Sequence, residues 1–103
     1  IKISGSPDNI NITDKGDIVV AAIPKVIALI QHFISFQSEK VIPAPSQVLR
    51  FNWEFESLGS KPKIDELFLS EGNYFSTASV GTIWKNRLFM GSIDDKKLLI
   101  CDL

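Results

Sequence analysis

The sequence predicts a mainly β protein built of antiparallel meanders with one short helix inserted. Three observations carry this. Apolar and polar residues alternate in several short runs, turn signals recur at short and regular spacing, and a single segment switches to helical periodicity.

Ile10-Asn11-Ile12 alternates, Asp14-Lys15-Gly16-Asp17 supplies a turn, and Ile18 to Ala22 is a β-rich run. From Val48 to Phe55, Leu49, Phe51, Trp53 and Phe55 fall on one face and Arg50, Asn52 and Glu54 on the other. A Gly59-Ser60-Lys61-Pro62 turn leads to a strand from Ile64 to Ser70. A tight pair follows, Ser79 to Trp84 and Arg87 to Ile93 about a Lys85-Asn86 turn, and Leu98 to Cys101 closes the chain. Between Pro24 and Phe36 the apolar residues at 26, 27, 30, 33 and 34 mark a helix face. Pro24 suits its first turn, while β-branched Val26, Ile27 and Ile34 also suit a buried strand. Four strands make a propeller blade of roughly 40–45 residues, so the seven or eight candidates fit about two blades. A small sandwich or barrel fits the same pattern.

The chain of 103 residues leaves room for one domain, and a 45% hydrophobic content is too high for disorder. The formal net charge of −1, with scattered lysines, argues against a nucleic-acid partner. Asp94-Asp95-Lys96-Lys97 is charge-balanced and reads as a solvated turn. The longest apolar stretch, around Val26 to Phe36, is too short to span a bilayer. No G-x-S-x-G elbow surrounds a serine, so a serine-hydrolase triad is not supported.

Three ordered blocks carry a family resemblance. Ser79 to Ile93 followed by Leu99-Ile100-Cys101-Asp102-Leu103 resembles the T-x-A-S-x-Y-K-G-K-L-L-I-G-T-V run and terminal C-E-L of the paraoxonases. Pro45-Ser46-Gln47-Val48-Leu49-Arg50 resembles their S-x-V-L-R strand. Pro7-Asp8-Asn9-Ile10, ahead of Gly16-Asp17-Ile18-Val19-Val20, resembles their D-N-I segment and following G-D strand. The blocks span nearly the whole chain, which is identified as a member of the paraoxonase/arylesterase family.

The resemblance implies a six-bladed β-propeller with two calcium ions in its tunnel, residues 1–103 forming one partial domain of about two C-terminal blades. It implies a calcium-dependent hydrolase of aryl esters and lactones, with the remaining blades as partners and residues 1–103 alone inactive. Asp8 and Asn9 match ligands of the catalytic calcium. A carboxylate beside an amide carbonyl suits a hard cation, but adjacent strand side chains point apart, so both reach one ion only from a loop or bulge. Read without the resemblance, the pair is an ordinary turn.

Ile23, Ser79 and Ile93 match positions lining the substrate pocket. At Ile23 the chain departs from the family, which commonly has histidine in a H-P motif where this chain has Ile23-Pro24. Isoleucine exchanges no proton, and the histidine most often proposed as general base belongs to the family's upstream part. Ile23 therefore favours an alternative, a non-catalytic paraoxonase-like scaffold or accessory protein, with membrane association compatible. His32, the only histidine, reads as structural and partly exposed, with no obvious orienting carboxylate. The apolar stripe of its helix is expected to pack on the propeller rim rather than on a membrane, since only Lys25 and Lys40 flank it.

Cys101, the single cysteine, reads by count as a buried free thiol or half of a bridge to a residue outside the chain. The resemblance implies the bridge, tying the last strand to an N-terminal segment. A loop of hundreds of residues closed in this way contributes roughly 5 kcal/mol. It also implies an extracellular or luminal location.

Overall fold

The computed structural model describes residues 3, 5–36, 43–52, 62–73 and 75–103. Among these it contains seven strands, β1 (Ser6–Ile12), β2 (Ile18–Ile23), β3 (Ser46–Asn52), β4 (Lys63–Ser70), β5 (Ala78–Trp84), β6 (Arg87–Ser92) and β7 (Leu99–Asp102). One helix, α1 (Val26–Ser35), follows β2. The strands form two antiparallel meanders, β1-β2-β3-β4 and β5-β6-β7, in sequence order. Trp53, Glu54, Phe55, Lys40 and the Gly59-Ser60-Lys61 part of the expected turn lie outside the described residues.

The turns follow from local chemistry. Between β1 and β2, Thr13 Oγ1 accepts from the Asp17 amide at 3.0 Å and the Thr13 carbonyl from Gly16 at 2.9 Å. Between β5 and β6, Lys85 and Asn86 both adopt positive φ, 48° and 61°. That is the mirror-image two-residue turn whose twist matches a hairpin, and asparagine tolerates it well.

The two sheets pack face to face, with β1 and β2 against β5. Alternation decides which side chains meet there. Val19, Ala21 and Val48 from the first sheet join Phe75, Ala78, Leu88 and Met90 in one fully buried cluster. Partly buried Ile83, Leu99 and Cys101 pack around it. A Cβ on Gly81 would lie 3.0 Å from Val48 Cγ1, so glycine lets β5 approach this closely. On the far face of the first sheet, Val20, Leu49 and Phe51 form a second buried cluster with Ile3 and Ile18 against it. β3 is thus apolar on both faces, as suits a strand between two layers.

Register puts the start of β1, β3 and β5 and the end of β2, β4 and β6 at one end of the sheets. This upper end also carries α1. Here the segment from Phe75 to Ala78 crosses from the first sheet to the second, stapled by buried hydroxyls. Ser46 Oγ donates to the Phe75 carbonyl and accepts from the Ala78 amide, both at 3.0 Å. Ser76 Oγ accepts from the Ala44 amide at 2.9 Å.

α1 departs from expectation in its orientation. Among its described side chains His32 and Ser35 are buried, whereas Ile27 and Ile34 are 73% and 65% exposed and Ile30 and Phe33 are also exposed. These four residues of the apolar stripe face away from the described blades. The physical reason lies beneath the helix: the upper end presents carboxylates and hydroxyls, and the helix turns its hydrogen-bonding face toward them.

Candidate functional site

Pro7 pairs with Ala22 and Ile10 with Val20, so Asp8 and Asn9 together oppose the single residue Ala21. This is a β-bulge, which breaks the two-residue alternation of side chains. The irregularity that two adjacent ligands require is present at these positions, and both residues are exposed.

Asn9 is also held. Its Nδ2 donates to the Ser79 carbonyl at 2.8 Å, and two residues on Asn11 Nδ2 donates to the Gly81 carbonyl at 3.0 Å. A carbonyl accepts only from the amide's NH2 group, which fixes the orientation of the Asn9 amide and leaves Oδ1 as its other polar atom. The bond also ties the bulge to β5 at Ser79, one of the expected pocket residues.

Asp8 carboxylate and Asn9 Oδ1 are hard oxygen donors of the kind calcium takes. Calcium binds six to eight oxygens, and among the described residues no group of three or more His, Cys, Asp or Glu gathers here. The pair therefore fits as part of a coordination shell.

The other expected residues share this end without all being in contact. Ile23 closes β2 opposite Ser6 and is 3% exposed. Its carbonyl lies 2.7 Å from where a Cβ on Gly5 would stand, so glycine lets the start of β1 lie against the Ile23-Pro24 backbone. Ser79 is half-buried in β5. Ile93, just beyond β6, is 55% exposed, with its amide donating to the Thr77 carbonyl at 3.2 Å. Cys101 lies far along β7, half-buried and paired with Leu88.

Sequence reasoning missed a polar cluster at the same end. His32, expected to be partly exposed and without a carboxylate, is 2% exposed, and its Nε2 contacts Asp94 Oδ2. The Asp94 carboxylate accepts there and, through Oδ1, from Thr77 Oγ1. Ser92 Oγ donates to the Ser76 carbonyl at 2.6 Å, lies 2.9 Å from Thr77 Oγ1, and accepts from the Asp95 amide at 2.9 Å. Asp95 Oδ2 accepts from the Ser76 amide at 3.1 Å. The 94–97 run is therefore not simply a solvated turn, because its two carboxylates serve as hydrogen-bond acceptors for buried donors.

Burial pushes the Asp94 carboxyl upward, but hydrogen bonds from Thr77 and His32 and the charge of His32 outweigh it and hold it below its ordinary value. Thr77 is fully buried at φ 53°. A β-branched residue in that region costs on the order of 1–3 kcal/mol and persists only where its surroundings over-determine it.

No helix among the described residues is long and apolar enough to cross a membrane. Among curated proteins, none matches the chain. The family model described as arylesterase matches residues 1–103, and the chain belongs to the paraoxonase/arylesterase family.

Proposed function

We propose that this protein is a calcium-dependent hydrolase of aryl esters and lactones, residues 1–103 being part of its propeller. The observation that carries the reading is the bulge at Asp8-Asn9, which breaks strand alternation where a carboxylate residue adjoins an asparagine whose amide is oriented by Ser79. Asp8 and Asn9 Oδ1 would hold the ion, and the Ser79 carbonyl keeps the Asn9 amide turned for that purpose. Bound calcium supplies Lewis acidity toward a substrate carbonyl oxygen. Ser79 and Ile93 furnish a polar point and an apolar wall, the mixture an ester pocket needs. His32 is buried, at 2% exposure, away from Asp8 and Asn9, so the general base comes from elsewhere in the protein.

The outer faces of the two sheets support the propeller assignment. Ile10, Ile12 and Ile64 are exposed on one and Trp84 and Ile100 on the other. Further blades packed on both sides would cover them. In the same reading Cys101 pairs with a cysteine outside this chain, and the protein is extracellular or luminal.

Ile23 favours a second reading, a calcium-bearing scaffold that works by binding. It is buried and apolar where the enzymes commonly carry a histidine. Hydrolysis of phenyl acetate and a simple lactone by the full-length protein separates the two, with Ile23→His and Asp8→Ala beside the wild type. The enzyme reading expects chelator-sensitive turnover that Asp8→Ala removes. No turnover in folded, calcium-loaded wild type overturns it in favour of the scaffold. Turnover only in Ile23→His marks a lapsed enzyme.

A further inference from the structure

A continuous run of contacts links α1 to the candidate metal ligands. His32 Nε2 meets the Asp94 carboxylate, which also accepts from Thr77 Oγ1. The Thr77 carbonyl accepts from the Ile93 amide. Thr77 also leads directly into Ala78 and Ser79, and the Ser79 carbonyl holds Asn9. The contacts are polar and directional, so they fix orientation as well as proximity.

From this we infer that His32 and Asp94 are a positioning pair that sets two walls of the substrate site. The pair fastens α1 to the loop after β6, and through Thr77 it fixes the backbone on both sides of the pocket, at Ser79 and at Ile93. It touches no substrate itself. Three features support a purpose beyond packing. The helix buries His32 and Ser35 while leaving Ile27, Ile30 and Ile34 exposed, so its attachment to the blades includes a directional polar contact. Thr77 is held at φ 53° where these bonds converge, and strained backbone held by its surroundings is concentrated at functional sites. Ile93, an expected pocket wall, is the neighbour of Asp94 in sequence. The inference rests on reading the upper end as the substrate face.

The test compares full-length, calcium-loaded wild type with Asp94→Asn, Thr77→Val and the double variant His32→Gln/Asp94→Asn. Asp94→Asn keeps the side-chain shape and removes the charge. Thr77→Val removes only the hydroxyl and serves if Asp94→Asn fails to fold. Two readouts are taken: amide exchange of residues 26–35, 76–79 and 92–95, and KM and kcat for phenyl acetate and a lactone. Either single variant should speed exchange in all three segments by about tenfold, and the double variant should add little to Asp94→Asn, because the two residues share one interaction. KM should rise about fivefold while kcat stays within about twofold, as loss of pocket-wall binding shared by ground state and transition state predicts. Exchange that loosens in 26–35 alone, or an unchanged KM, overturns the inference. Absence of turnover in the folded wild type defeats the hydrolase reading, and the spread of exchange across the three segments then decides the coupling by itself.

Discussion

The second sheet is buried in two different ways, and the contrast explains most of the molecule. Against the first sheet it offers Ala78, Leu88 and Met90, which meet Val19, Ala21 and Val48 in a dry cluster. Toward α1, the loop after β6 offers the Asp94 carboxylate, which also accepts from Thr77, and the helix answers with His32 while Ile27, Ile30 and Ile34 stay exposed. The first contact is held by area removed from water, which is non-directional and scales with apolar surface. The second is centred on the His32–Asp94 contact, which is polar and directional. The sheet interface therefore specifies that the blades pack, whereas the helix interface specifies the placement of a few atoms at the upper end.

Substitutions probe each side of that contrast. The largest effect is expected in the dry cluster. Leu88 is fully buried, and Leu88→Ala should cost about 2–5 kcal/mol in denaturant unfolding of the full-length protein. A loss under 1 kcal/mol would mean the cluster is not a shared core. Filling the space instead of emptying it comes next. Gly81→Ala places a methyl against Val48 and should cost about 1–3 kcal/mol, with Val48→Ala partly restoring stability in the double variant.

The polar contact is sharpened by acid. The Asp94 carboxyl in the folded protein lies below its ordinary value. Its contribution is thus fully present above the unfolded value and is lost as pH falls through the folded one. Among the described residues, the titratable groups lining the hollow beside it are His32 from the helix and Asp95 from its own loop. Wild type should lose stability relative to Asp94→Asn as pH is lowered below the usual carboxylate range. Parallel curves for the two proteins would remove Asp94 from the acid response. The smallest effect is expected at Arg87 and Asp102, 3.1 Å apart and largely exposed. Arg87→Ala should change stability by about 0–1 kcal/mol, declining further with salt.

The strands were legible because alternation is local: a half-buried strand places its apolar residues two apart, as Leu49 and Phe51 are in β3 and Ile10 and Ile12 in β1. The Lys85-Asn86 turn was legible because few residues tolerate its backbone. The need for an irregularity at Asp8-Asn9 was also readable, since two adjacent donors cannot share an ion from a regular strand. The partners of His32 were not. Asp94 lies 62 positions away in a run whose balanced charges look solvated, and no local pattern marks a carboxylate as an acceptor for a distant helix. The burial of His32 and Ser35 was hidden for the same reason, because periodicity identifies an apolar face on α1 without saying what lies beneath the helix.

The β class, the meander order, the Asp14-to-Asp17 and Lys85-Asn86 turns, the helix and the family all rest on spacing along the chain or on ordered local motifs, and the sequence alone settles them. Only the tertiary structure decided which face of α1 turns inward, that Asp8 and Asn9 share a bulge tied to Ser79, and that His32 meets Asp94. Those outcomes depend on which polar groups reach the same end of two sheets, and burial obliges such groups to find one another whatever their separation in sequence.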